Sequence, residues 1–388
     1  MSEIWGNYAV CGLGVTPQGR LPGWSSDALK VEAIRLAIED AGLTPQDIDG
    51  YIYQGASGTP QSRDVARRAG LAAKMVWSLE TGGATAISAM TAAMGFIDLG
   101  LVNYVVVVFG QNPATGGLSA PRGTEAAPTL RSTFGAYGFF APGSIHSLAA
   151  RRHMELYGTT STQLGWIAVN QRANANKRPT AMMYGRPMNI EDHQNSRWVC
   201  EPLHMFDYCL IGDGGAAFIV TSLERAKQCK KPPVIIQGTG IGNAVRLSYD
   251  KSNFDQVDVA PARDNAFRAA GIELKDIDVA SIYDCFTITV LLTLEGYGFC
   301  QKGEGGAFVE GGQNISLSAP IPVNPHGGKL SHSDMQGFTP FVEGVRQARG
   351  EGGATQKEDA ELVLVSGHGG DAGSSMTYAH ACAVLRRS

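Results

Sequence analysis

Apolar residues recur at helical spacing from Ser26 onward, with Ile34, Ala37, Ile38 and Ala41 on one face. The pattern then closes on Ala41-Gly42-Leu43, Asp47-Ile48-Asp49 and a short strand ending Ile52-Tyr53. The same order returns far downstream. Asn265 to Ala270 ends a helix, Ala270-Gly271-Ile272 follows, then Asp276-Ile277-Asp278 and a strand ending Ile282-Tyr283. Gly42 stands as far from Asp47 as Gly271 does from Asp276. A second unit follows each copy. Thr81-Gly82-Gly83 opens a helix through about Leu99, and Tyr104 to Phe109 is a continuous apolar strand. In the other half Gly327-Gly328 precedes a helix through about Ala348, and Leu362 to Val365 is the apolar strand. Uninterrupted apolar strands between helices predict a parallel sheet covered on both faces.

One α/β unit written twice implies an α/β fold of two pseudo-symmetric halves stacked as five layers, αβαβα. Residues 1–230 form the N-terminal half and 231–388 the C-terminal half. A stretch at about 111–205 has no repeat counterpart and is rich in Gly, Pro, Asn and Arg; it is expected to be a loop and lid region over a substrate. The length of 388 residues agrees with more than one folding unit, since single cores stop growing at roughly 250–300 residues.

The net charge is −4 and no run of five or more like charges appears, so no nucleic-acid surface is expected. No stretch reaches the roughly 18 apolar residues of a membrane-spanning helix, and no basic segment followed by an apolar one opens the chain, which points to a cytoplasmic protein. The cysteines Cys11, Cys200, Cys209, Cys229, Cys285, Cys300 and Cys382 form no C-x-x-C pair, so most are expected to be small buried hydrophobes. The 49 glycines imply tight turns and glycine-lined sites.

Four segments carry candidate chemistry. Glu80-Thr81-Gly82-Gly83 stands at a helix entry whose backbone N–H groups favour an anion or oxyanion, or which Thr81 merely caps. Tyr283-Asp284-Cys285-Phe286 offers a phenol that can exchange a proton with an enolate, and a thiol that could act as nucleophile. Asn324 to Gly337 carries His326, His332 and Asp334 beside a Gly-Gly turn, a set suited to acid–base work whose spacing fits no common zinc site, so no metal is expected. Ser366 to Gly373, with His368, Gly369 and Gly370, can present backbone N–H groups to a thioester oxygen.

Over nearly the whole chain this pattern resembles the thiolase superfamily, and within it the sterol-carrier-protein thiolases and their lipid-transfer-protein relatives. Where those thiolases have His-Asp-Cys-Phe, this chain has Tyr283-Asp284-Cys285-Phe286. Their acyl-accepting cysteine matches Glu80, and no cysteine lies between Cys11 and Cys200, so a covalent acyl-enzyme cannot form at that place. Their catalytic histidine matches Asp334. Tyr184 to Pro187, Ile190 to Trp198, Glu201 to Leu203 and Gly298 to Glu304 are similar to thiolase-like retro-aldolases of bacterial steroid side-chain breakdown, which use two tyrosines; one matches Tyr283 and the other falls on Asp334.

The resemblance implies retro-aldol cleavage of a β-hydroxyacyl-CoA to a ketone or aldehyde and a shorter acyl-CoA. Asp334 or a neighbouring histidine would act as base and Tyr283 as acid, because a carboxylate is ionised at neutral pH and a phenol, with its pKa of about 10, is not. His326 and the backbone at Gly369 and Gly370 would bind the enolate oxygen. Coenzyme A is expected only as part of the substrate, with no tightly bound cofactor. A homodimer and a small partner with an OB-fold and zinc ribbon are further implications. Rival readings are a noncatalytic acyl-CoA-binding subunit, and thiolase-type acyl transfer through Cys285.

Overall fold

The protein is described by a computed structural model covering residues 4–55, 60–116, 142–242, 255–371 and 375–388. Its strands are β1 (Tyr8–Val15), β2 (Gly50–Gln54), β3 (Met75–Leu79), β4 (Val105–Gln111), β5 (Trp198–Cys200), β6 (Leu203–His204), β7 (Gly214–Ser222), β8 (Val234–Gly242), β9 (Val279–Ser281), β10 (Leu362–Asp371) and β11 (Ser375–Arg387). Nine of them join in the order β3-β2-β4-β7-β1-β8-β11-β10-β9, while β5 and β6 make a separate ribbon.

That order is a palindrome about the β1–β8 seam. From the seam outward the first half runs β1, β7, β4, β2 and the second β8, β11, β10, β9. In each, the two inner pairings are antiparallel and the outer one is parallel. The seam itself is short, Ala9 opposite Ile235 and Val10 opposite Val234. The counterpart of β3 shrinks to a bridge between Ala280 and Val323.

Because side chains alternate along a strand, each half-sheet feeds two cores. Val105 and Val107 face a central layer containing the helices Thr85–Asp98 and Phe338–Arg349, which also takes Val363, Val365, Ala381 and Leu385 from the second half. Val106 and Val108 face outward onto the helix Ser26–Ala41. In the second half Leu364, Cys382 and Val384 face the helices Ala260–Ala270 and Thr287–Tyr297. The five layers expected from the repeat are present. Its local marks hold too: Gly42 and Gly271 end their helices in the left-handed region, at φ 70° and 69°. Capping boxes follow at Thr44/Asp47 and Glu273/Asp276.

Two helix starts differ from the expected ones. After Thr81, a single 3-10 turn (Gly82–Ala84) intervenes before the helix at Thr85. After Gly327-Gly328 no ordinary helix begins; the chain makes a π-helical turn over Gly328–His332 and the helix starts only at Phe338. Gly327 and Gly328 sit at φ 102° and 60°. Any Cβ there would overlap Gln171, Ala175 and Asp284, so the turn is pressed into the body of the protein. Among the described residues no helix is long and apolar enough to cross a membrane.

Candidate active site

Tyr283 leaves the end of β9, where the backbone is tied on both sides. Ile282 N–H donates to Asn324 Oδ1 at 2.7 Å and Tyr283 N–H to Ser366 Oγ at 3.1 Å. The ring then lies under Gly83, where a side chain would collide with it, and the His368 ring is 6.0 Å from it between centroids. Gly83 and His368 are thus brought to Tyr283 as its walls.

The pressed-in turn delivers a residue to which sequence reasoning gave no role. Lys329 is 2 % exposed, its Nζ donates to Tyr283 Oη at 2.8 Å, and it lies 3.2 Å from Asp334 Oδ1. The same nitrogen is 4.0 Å from the Tyr283 ring centroid. Tyr283 and Asp334 therefore meet through one buried ammonium. Asp334 Oδ1 also accepts the Gln336 N–H at 2.9 Å, whereas among the described residues Oδ2 has only the Cys209 thiol, at 3.9 Å. The Gln111 amide holds the Asp334 carbonyl at 2.8 Å. Beneath this group Asp284 accepts the N–H groups of Lys329 and Leu330 at 3.0 and 3.2 Å, and Gln171, with its amide nitrogen turned toward Asp284, donates at 2.6 Å.

Burial pushes the Tyr283 phenol upward, and the Lys329 charge works against that. Burial alone would lower Lys329, but the Asp334 carboxylate beside it and the other groups around the ammonium outweigh that and hold it well above its ordinary value. Burial raises the Asp284 carboxyl to about 7. It also raises Cys285 to about 11. The Cys285 Sγ is 3.7 Å from His146 Nε2, and burial lowers that imidazole to about 4. A protonated thiol beside a neutral imidazole is a poor nucleophile, which weighs against acyl transfer through Cys285.

The other sequence candidates are held apart from the Lys329 contact. His326 and His332 pack edge to face, 5.3 Å apart, and His332 Nε2 is 3.2 Å from Thr180 Oγ1. Burial, together with the charges of Arg178 and Arg346, drives His332 down to about 3 and His326 well below its usual value. Among the described residues no hydrogen bond joins either ring to Tyr283, Lys329 or Asp334. At the helix entry Glu80 Oε1 accepts the Gly82 N–H at 2.9 Å and the Gln54 amide at 3.1 Å, so a donor expected to be open to an anion is capped by the chain itself. The hydroxyl that organises this turn is Thr85, not Thr81: it accepts the Thr81 N–H at 2.9 Å. His368 and Gly369 stand opposite His380 and Ala379 in the β10–β11 ladder. Gly370 lies in β10, and its surroundings fall outside the described residues.

Residues 245–381 match the family described as thiolase C-terminal domain-like. The chain is 34% identical over 94% of its length to a steroid side-chain-cleaving aldolase of Thermomonospora curvata, covering 96% of that protein. It is 35% identical over 89% of its length to the 17-hydroxy-3-oxo-4-pregnene-20-carboxyl-CoA lyase of Mycobacterium tuberculosis, covering 92% of it. A solved structure described as an Ltp2-ChsH2(DUF35) aldolase superposes with a TM-score of 0.90 at 32% identity, covering 100% of this chain and 99% of that one. The chain belongs to the thiolase superfamily and, within it, to the carbon–carbon-cleaving aldolases.

Proposed function

We propose that this lyase cleaves a β-hydroxyacyl-CoA carrying a steroid side chain, releasing a ketone or aldehyde and a shorter acyl-CoA. The names of its two curated relatives support the steroid. The buried contact of Tyr283, Lys329 and Asp334, at a place where Glu80 replaces a thiolase nucleophile, carries the mechanism. Asp334 Oδ2, the less engaged carboxylate oxygen, takes the β-hydroxyl proton; the Cα–Cβ pair moves into a thioester enolate; Tyr283 protonates its carbon. The thioester oxygen lies toward Gly83 and His368 to Gly370, across the Tyr283 ring.

The same reading divides the chain into halves 1–230 and 231–388 and gives the segment around 111–205 to substrate enclosure. It takes coenzyme A as part of the substrate, places the protein in the cytoplasm, and assigns it a homodimer with a small OB-fold, zinc-ribbon partner. The two-component description of the solved aldolase supports a partner protein. A panel of β-hydroxyacyl-CoA thioesters, assayed with the partner present, tests the substrate class by the acyl-CoA released. Tyr283→Phe is expected to lower kcat by about 100-fold or more while acyl-CoA binding persists, the usual size of a lost proton-transfer group. A complete complex that binds acyl-CoA and cleaves none of the panel returns the protein to a carrier role.

A further inference from the structure

We propose that Lys329 is the positioning residue that closes the proton cycle of this site, presenting the Tyr283 proton to the substrate and carrying the Asp334 proton back to Tyr283 after each turnover. The proposal rests on the aldolase reading above. Its basis is geometric. An ammonium has three donors and no acceptor, so Tyr283 Oη can only accept from Lys329, and its own hydrogen is left pointing away, free for a substrate carbon. The same nitrogen touches Asp334 Oδ1, so acid and base share one neighbour.

The protons balance. Asp334 gains the β-hydroxyl proton as the ketone or aldehyde forms and the Cα–Cβ bond breaks. The enolate carbon takes the Tyr283 proton, leaving a phenolate beside the ammonium. Lys329 then gives a proton to the phenolate and takes the one on Asp334, which restores carboxylate, ammonium and phenol with no net gain or loss. Nothing bonds covalently to the lysine.

The groups facing Lys329 are Tyr283, Asp284 and Cys285 from the segment after β9, Cys209 from the segment before β7, Asp334 from its own loop, and the more distant His146. Of these only Tyr283 and Asp334 lie within hydrogen-bonding or ion-pair distance of Nζ.

The test reads the Tyr283 step alone. The complex is incubated in D2O with the shorter acyl-CoA product, and deuterium entering its α-carbon is followed by mass spectrometry across pH. Lys329→Met is expected to slow exchange by about 100-fold, as Tyr283→Phe does, because it removes the same proton transfer. The double variant is expected to be no slower than Tyr283→Phe. Lys329→Arg, which puts a cation back beside Tyr283, is expected to recover part of the exchange; a simple loss of packing would not be repaired by the larger side chain.

Removing only the ammonium strands the Asp334 carboxylate and can unfold the protein. Lys329→Met is therefore also made in Asp334→Asn, and exchange is compared with Asp334→Asn alone. Unchanged exchange on loss of Lys329, in either background, overturns the proposal. A wild-type complex that neither cleaves nor exchanges overturns instead the aldolase reading on which it stands.

Discussion

Asp284 touches neither the phenol nor the Asp334 carboxylate, yet it holds the turn that delivers Lys329. It does so at a cost, because burial favours its neutral form and raises it to about 7, above the ordinary 3.8. Between those two values the folded state keeps a proton that the unfolded chain has lost. The contribution is fully present below about pH 4 and fades as pH rises through 7. Asp284→Asn should therefore flatten the dependence of unfolding free energy on pH between about 4 and 7, by on the order of 1–4 kcal/mol. Urea unfolding at both ends of that window measures it; an equal slope in wild type and variant would place the titration elsewhere. The same residues show how far local sequence carries the site. Of the proposed site, Tyr283 and Asp334 were legible because each ends or follows a recognisable unit. Lys329 was not, since a lysine after Gly-Gly reads as solvated surface. Its burial comes from positive-φ glycines packed against Gln171 and Asp284, a long-range contact with no periodic signature.

At the scale of elements the two halves share a device that leaves little trace in the sequence. Gly12 and Gly14 of β1 lie so close to the helix Ser26–Ala41 that a Cβ would overlap the carbonyls of Ala37 and Ala33. Gly238 and Gly240 of β8 stand in the same relation to Ala266 and Ala262 of the helix Ala260–Ala270. Each strand therefore meets its covering helix backbone to backbone through a Gly-x-Gly pair. Helical periodicity and Ala-Gly ends make the helix-to-strand part of the repeat a strong sequence signal, whereas a glycine pair in a short strand looks like a turn. Gly14→Ala and Gly240→Ala are each expected to destabilise by about 1–3 kcal/mol, as overpacking does, and by similar amounts. Gly95, exposed in the helix Thr85–Asp98 with no atom near its missing Cβ, gives the contrasting case. There alanine is expected to stabilise by about 0.5–1 kcal/mol through backbone entropy. Thermal unfolding of the three variants checks both signs, and a stabilised Gly14→Ala would contradict the close strand–helix approach.

For the whole molecule the palindromic sheet has unequal ends. One end finishes on β9 and the Val323 bridge, while the other stops at β3, which pairs only with β2 among the described residues. Val76 and Trp77 are adjacent on β3 and so point to opposite faces, yet both are exposed, at 39% and 40%. Leu99 and Leu101, just past the helix whose Phe96 meets Trp77 edge-on, are exposed too. An open strand edge flanked by apolar side chains on both faces invites pairing with another strand, and a second copy supplies an identical edge in the antiparallel sense required by a twofold axis. The homodimer assigned above is therefore expected to form through β3. Val76→Lys places a charge on each copy of that edge, and light scattering should then give half the wild-type mass with the far-ultraviolet circular dichroism unchanged. Glu80 follows directly after β3 and caps the turn whose Gly83 forms one wall of the Tyr283 site, so loss of the pairing is also expected to lower cleavage. A wild-type chain that runs as a monomer, or a Val76→Lys chain that stays dimeric, would show that this edge meets something other than its own copy.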